Sequence, residues 1–365
     1  MKAPNKSSLV DFDGNRKNNF TLVRITFAWL VLYGHSYAIQ AVPGIKDPLN
    51  LLFQGSTWVG ELAVNGFFAI SGFLVAASII NRGFVDYSVS RILRIYPALI
   101  VCIFFSVFIL GPLMTNAEAL EYFSSFKTYN YLSNALAFKP MIWTLPGVFD
   151  QNIRGAINGS LWTLTVEVRC YLLLGIIGSF GLLRHKVIAN IFLVSLLLFG
   201  YIYFSDMPLL GQNPKWSRPS LYFLIGIFFY INRSSIYLDG KLAFFTLLIA
   251  VSSFGEEWFH YVFPASFSYL IFYIAYATKY IPIDEKLGDL SYGIYIYAWP
   301  MQQVIAHLTP NGNPYLNTVF SSVVVIILAY FSWHKIEKPI LIHKQRALSS
   351  IRGKFDFTSR VFSRR

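Results

Sequence analysis

Of the 365 residues, 55% are hydrophobic and only 13% charged, with a mean hydropathy of +0.51. A soluble domain carries about 25% charged residues, so this chain lacks the polar surface to coat a water-soluble globule. Its net charge of +12 is spread over short loops and one tail rather than along a helix face, which excludes a nucleic-acid-binding surface.

A helix needs about 20 mostly apolar residues to cross the hydrocarbon core. Such stretches lie near 20–40, 60–80, 95–114, 158–182, 187–205, 218–232, 242–256, 260–278, 288–308 and 315–334. They predict an all-α, polytopic transmembrane bundle of about ten spans. No cleavable apolar core with a small-residue site precedes residue 20, so the start of the chain does not read as a signal peptide. With the N-terminus inside, 22 Lys and Arg fall in cytoplasmic segments and 6 in outer loops, while Arg24 and Arg169 fall within spans. Losing one span would invert every later loop, so the split supports ten, with both termini cytoplasmic. The chain divides into a cytoplasmic segment 1–19, a transmembrane domain 20–338 and a basic tail 339–365 that lies along an anionic leaflet. The long outer loop, about 115–157, carries Trp143, Pro146 and Gly147 among apolar residues, and either dips back toward the membrane or caps a cavity. Cys102 and Cys170 sit in apolar runs and read as packing residues.

Ionisable groups inside a span are costly, which makes each one a candidate for function. Arg24 and His35 in the first span are eleven residues apart. Eleven steps of 100° return to within about 20° of one face, with a rise of about 16 Å. One face therefore presents a cation near the cytoplasm and an imidazole in the outer half. In the fourth span, entered from outside, Glu167 is expected roughly 12 Å below the outer surface, level with His35. A carboxylate there could orient the imidazole and raise its basicity; an ion pair with Arg24 or Arg169 is the structural alternative. Arg91 and Arg94 open the third span, three residues apart and thus on one face, a spacing suited to bidentate phosphate binding and equally common as plain topogenic charge. Tyr292, Tyr295 and Trp299 form an aromatic stripe in the ninth span, a pattern more typical of packing than of binding. Glu337-Lys338-Pro339 reads as an ordinary helix stop. No phosphate-cradling loop, dinucleotide turn, zinc spacing or serine nucleophile elbow occurs.

Four blocks, in order, carry a family resemblance: Arg24 with His35; Phe67-Phe-Ala-Ile-Ser71-Gly-Phe73-Leu; Arg91 and Arg94 before Tyr96-Pro97; and Ser160-Leu-Trp162-Thr-Leu-Thr-Val-Glu167. Ser291-Tyr292 and Glu337-Lys-Pro339 complete the set. From about residue 18 to 340 the chain resembles the membrane-bound acyltransferase family called acyltransferase 3. The resemblance implies a ten-helix domain in a bacterial inner membrane that moves an acyl group, most often acetyl from acetyl-coenzyme A, onto hydroxyls of surface or secreted glycans such as lipopolysaccharide or exopolysaccharide. It implies no permanently bound cofactor and no metal. Acyl-coenzyme A is the co-substrate, a glycan or lipid-linked saccharide the acceptor, and membrane lipid the surroundings. Carried over residue by residue, it gives His35 and Glu167 as catalytic, Arg24, Arg91 and Arg94 as coenzyme-binding, and Trp162, Ser291, Tyr292 and Tyr295 as substrate-binding. Three departures stand out: Ala298 where the family often has His, Val168-Arg169-Cys170-Tyr171 after the glutamate, and Thr21-Leu-Val before Arg24. His35 would act as general base or acyl carrier. The competing classes are a transporter or flippase of a lipid-linked sugar, which would use no acetyl-coenzyme A, and a structural subunit indifferent to His35.

Overall fold

The computed structural model describes residues 7–203, 206–207, 210–211 and 213–344; the predicted N-terminal segment before Ser7 and the basic tail beyond Lys344 fall outside these. Each of the ten predicted stretches coincides with a helix: α1 (Phe20–Ile39), α2 (Val59–Arg82), α3 (Phe84–Phe105), α4 (Trp162–Ser179), α5 (Lys186–Ile202), α6 (Ser217–Ile231), α7 (Gly240–Ser252), α8 (Phe259–Ala277), α9 (Ser291–Leu308) and α10 (Pro314–Ser332). Among the described residues, five stretches are long and apolar enough to cross a membrane: Phe20–Ile39, Val59–Arg82, Phe84–Met114, Trp162–Ser179 and Pro314–Lys344. The 13 residues of α7 rise only about 20 Å, against a hydrocarbon core of about 30 Å. The only sheet among the described residues pairs Ser7–Ser8 with Tyr237–Leu238, antiparallel.

Two helix boundaries differ from the sequence reading. α3 begins at Phe84, not near 95, and runs through a π-turn at Ser106–Leu110 to Met114. Arg91 and Arg94 therefore sit inside a helix rather than at its mouth. At the other boundary, Glu337-Lys338-Pro339 does not stop the last helix. The backbone widens into a π-turn over Trp333–Glu337 and continues helical to Lys344. A π-turn shifts the hydrogen-bond register, so the turn before Pro339 absorbs its missing N–H and the helix goes on.

The core is built on close contact between α2 and α6, and between α1, α9 and α10. Helices in hydrocarbon gain nothing from hiding apolar surface from one another, so they associate through small residues that let backbones touch. Gly72 and Gly226 are that device here. A Cβ on Gly72 would lie 2.0 Å from the Phe223 carbonyl oxygen, and one on Gly226 would lie 2.1 Å from that of Ala69. α10 starts where the sequence signals it: Asn313 caps the backbone N–H groups of Tyr315 and Leu316, with Pro314 in the first turn.

α1 and α9 run parallel and set the scale of the molecule. Arg24 meets Asp289 just before α9, His35 meets Trp299, and Gln40 meets Thr309 just after it. The two ends of the bundle are named below for Arg24 and His35.

Candidate functional site

The loop after α3 shapes the site. From Asn152 to Ser160 it descends along α9 as irregular backbone. Asn152 donates to the Gln303 carbonyl at 3.0 Å, and Gln303 in turn donates to the carbonyls of Arg154 and Ala156. Trp299 Nε1 donates to Ala156 O at 2.9 Å, Asn158 Nδ2 to Ile296 O at 2.8 Å, and the Tyr295 hydroxyl to Ser160 O at 3.1 Å. From Gln303 to Tyr295 is eight residues, about 12 Å of descent. Irregular backbone survives at such depth only if protein groups satisfy it, and the side chains of Gln303, Trp299 and Tyr295 do so. The loop thus dips into the bundle. At its floor Gly159 lies under Trp299, where a Cβ would come within 2.6 Å of the indole.

This dip relocates Glu167. α4 starts level with Tyr295, already about 12 Å inside, so five further residues carry Glu167 toward the Arg24 end. There it accepts hydrogen bonds from Ser71 Oγ at 3.2 Å and from the Tyr171 hydroxyl, which is also 2.7 Å from Ser71 Oγ. His35 lies elsewhere, its ring centroid 4.8 Å from Trp299 and 5.9 Å from Trp58, the residue preceding α2. Ser71 is twelve residues along α2 from Val59, about 18 Å of rise. The expected contact between Glu167 and His35 is therefore corrected: among the described residues no hydrogen bond joins them. The expectation failed because it counted depth from the end of the loop, as though the loop stayed at the surface. The alternative ion pair between Glu167 and Arg24 is not formed either, and Arg169 is turned away, donating to Phe138 O at 2.8 Å beneath the rings of Phe138 and Trp216.

Seven of the predicted residues line one cavity of about 110 Å³: Arg24, Arg91, Arg94, Glu167, Ser291, Tyr292 and Tyr295. Trp162 packs against the surrounding apolar core, and neither it nor His35 lines that cavity. The guanidinium groups are not equivalent. Asp289 Oδ2 bridges Arg94 Nη2 at 2.7 Å and Arg24 Nη2 at 3.1 Å. Glu337, 2% exposed, holds Arg94 Nη1 at 3.3 Å. Ser291 Oγ donates to the other Asp289 oxygen at 2.5 Å, fixing the carboxylate. Arg91 has no carboxylate within ion-pair distance among the described residues; its guanidinium lies 5.7 Å above the Tyr171 ring and its buried Nε has no hydrogen-bond partner. Buried charge is tolerable when paired, so Arg24 and Arg94 are neutralised in place and Arg91 is the cation left to receive an anion. The hydroxyls of Tyr292 and Tyr295 are committed to Ile95 O and Ser160 O, so these residues offer the cavity ring surface rather than free donors.

The groups that meet His35 are neutral: the indoles of Trp58 and Trp299. His35 is 8% exposed, and its Nδ1 is buried with no hydrogen-bond partner among the described residues. Next to it, Gln302 Nε2 donates to Leu32 O and Ser36 Oγ at 2.8 and 2.7 Å, while Asn317 donates to Gln40 and to Gln302 O at 3.0 Å. Sequence reasoning missed this network, as it missed Asp289 and Glu337. The available signal was that an amide pair, Gln302-Gln303, and an Asn317 stand within apolar spans, where polar groups must find partners.

The helical bundle thus holds a cationic cavity at one end and a buried imidazole at the other. The chain belongs to the acyltransferase 3 family: the family model described as "Acyltransferase domain" matches residues 17–334. The chain is thus a membrane acyltransferase. It is 29% identical to an O-acetyl transferase of Shigella phage Sf6 over 346 residues, 92% of this chain and 99% of that protein. It is 28% identical to nodulation protein 10 of Rhizobium leguminosarum bv. viciae over 366 residues, 91% and 95% of the two chains. It is 25% identical to a Bacillus subtilis (strain 168) protein named "Putative peptidoglycan O-acetyltransferase YrhL" over 335 residues, 80% of this chain and 52% of that one. No solved structure matches the chain.

Proposed function

We propose that this chain is a bacterial inner-membrane O-acetyltransferase that takes an acetyl group from acetyl-coenzyme A on the cytoplasmic side, at the Arg24 end, and delivers it to a hydroxyl of a surface or secreted glycan at the His35 end. The observation that carries this reading is the placement of two unlike stations on one face of α1, eleven residues and about 16 Å apart. Arg91, beside the neutralised Arg24 and Arg94, takes a phosphate of the donor, for which a guanidinium is well suited. The flexible arm of the donor then reaches along α1 with its thioester toward His35.

In the transfer, the glycan hydroxyl attacks the thioester carbonyl. The new C–O bond forms, the C–S bond breaks, and the hydroxyl proton passes to the imidazole of His35, which returns it to the departing sulfur. His35 has a ring nitrogen free for that proton. Glu167 acts at the donor station, where it holds Ser71 and Tyr171 beside Arg91, rather than as the partner of His35. The two oxygen-acetylating relatives lend support by name. The ten-span topology with both termini inside, read from Lys and Arg placement, orients the two ends.

The test is the acetyl content of surface and secreted glycans, by NMR and mass spectrometry, in cells carrying the wild type or His35→Ala at matched membrane levels. An acetyl signal dependent on His35 is expected. Identical glycans with altered export would replace this reading with that of a transporter.

A further inference from the structure

A second cavity, larger than the cationic one, opens elsewhere in the bundle. It measures about 1270 Å³ and lies between α4, α5, α6 and α8. Drug-sized ligand pockets run to about 1,000 Å³, and folded interiors tolerate few voids larger than a water molecule, so a space of this size and apolarity is one that hydrocarbon fills. Along α6 its wall runs from Arg218 to Phe229, eleven residues and about 16 Å. That is close to half of the about 30 Å hydrocarbon core, the depth of one leaflet.

The cavity is not uniformly apolar. Its polar wall is gathered at the His35 end. Arg218 stands there with Nη1 held by Glu61 at 2.6 Å and Nη2 facing the His260 ring at 3.5 Å. Asn65, 4% exposed, lines the cavity with its Oδ1 buried and without a hydrogen-bond partner among the described residues. Thr57 also lines it, and the next residue, Trp58, is the one whose indole lies against His35. A long apolar slot, one leaflet deep, thus ends in an amide and a guanidinium, and its wall at Thr57 is one residue from the indole that packs on the imidazole.

We propose that this cavity is the seat of the acceptor's lipid tail. The acceptor is a saccharide carried on a long hydrocarbon through a phosphate, with the tail between α4, α5, α6 and α8, the phosphate at Arg218, Asn65 and His260, and the sugar extending past Trp58 to His35. This rests on the acyl-transfer reading above and adds the carrier class of its acceptor.

The test uses the full-length protein in detergent, with undecaprenyl phosphate as the probe, phosphatidylglycerol as a competing bilayer lipid, and native mass spectrometry to count bound lipid. One undecaprenyl phosphate per chain is expected to persist against a tenfold excess of phosphatidylglycerol. Leu224→Trp, which puts an indole into the slot, should lower that retention at least tenfold. Arg218→Ala, at the exposed rim, should lower it severalfold without touching the core, and so serves even if the first variant folds poorly. Filling by phosphatidylglycerol to the same extent, or retention unaltered by both variants, overturns the proposal. Acetyl transfer from acetyl-coenzyme A to a tail-free oligosaccharide is measured in parallel in the wild type. A wild type that retains the isoprenoid yet transfers no acetyl to any acceptor sinks the acyl-transfer reading instead, so the two failures are told apart.

Discussion

The two ends of α1 solve the problem of polar groups in hydrocarbon in opposite ways. At the Arg24 end, charge is met with charge: Asp289 and Glu337 neutralise Arg24 and Arg94, and only Arg91 is left over. At the His35 end there is no formal charge among the groups that meet the imidazole; it stands between two indoles beside a net of amides. Under the proposed function the difference matches a different task at each end. A site that must hold a multiply charged donor needs fixed countercharge already in place, whereas a base that must take up and return a proton works best where no neighbouring charge fixes its protonation state.

The largest effect should separate the two ends outright. His35→Ala removes the proton acceptor and nothing else that binds donor, so turnover should fall by about 10²–10⁴-fold. Donor affinity, followed by calorimetry on the purified protein, should stay within about twofold. If donor affinity collapses together with turnover, the ends are not separate stations and the comparison breaks.

The cationic end should itself divide into a structural and a binding guanidinium. Arg94→Ala strands the buried Glu337 while Asp289 keeps Arg24, and breaking a buried pair costs about 3–5 kcal/mol. Thermal unfolding in detergent should show this loss whether or not donor is present. Arg91→Ala strands no carboxylate, so stability should hold while donor affinity drops roughly ten- to hundredfold, the worth of a hydrogen bond to a charged group. Equal destabilisation by both substitutions would show that Arg91 is structural too.

How far the sequence reveals this arrangement differs between the ends. The helices and the shared face of Arg24 and His35 were legible, because apolar run length and 100° periodicity are local properties that survive packing, whereas the seven predicted residues that line one cavity were named through the family resemblance and their meeting was not foreseen. The depth of Glu167 was not. It depends on a loop that enters the bundle through hydrogen bonds from Gln303, Trp299 and Tyr295, all more than 130 positions away in sequence. Nor was the role of Glu337: a Lys-Pro sequence signals a stop, and only the π-turn that carries the helix past Pro339 turns Glu337 toward Arg94.

That loop supplies the next prediction. Gln303→Leu leaves the carbonyls of Arg154 and Ala156 short of a donor at membrane depth, at about 1–3 kcal/mol for a buried group left unpaired. Because Trp299 still holds Ala156, the loop should loosen rather than leave. Proteolysis within 143–161 should speed up while helix content by circular dichroism stays constant. Unchanged proteolysis would mean that the descent of the loop does not depend on α9.

The smallest effect bears most directly on where Glu167 belongs. Ser71→Ala removes one of two hydroxyls that donate to this carboxylate and leaves Tyr171 in place. A single hydrogen bond is worth about 1 kcal/mol, or roughly fivefold in affinity. Seated with Arg91, Glu167 should register that loss in donor affinity, and the pH midpoint of turnover, which reports the base, should not move. Tyr171→Phe should act in the same direction. A shift of that midpoint in either variant, with donor affinity unaltered, would join Glu167 to His35 across the about 18 Å that separate their levels on α2. In that event a chain of groups between the two ends, and not the separation of charged from neutral stations, would be the organising feature of the site.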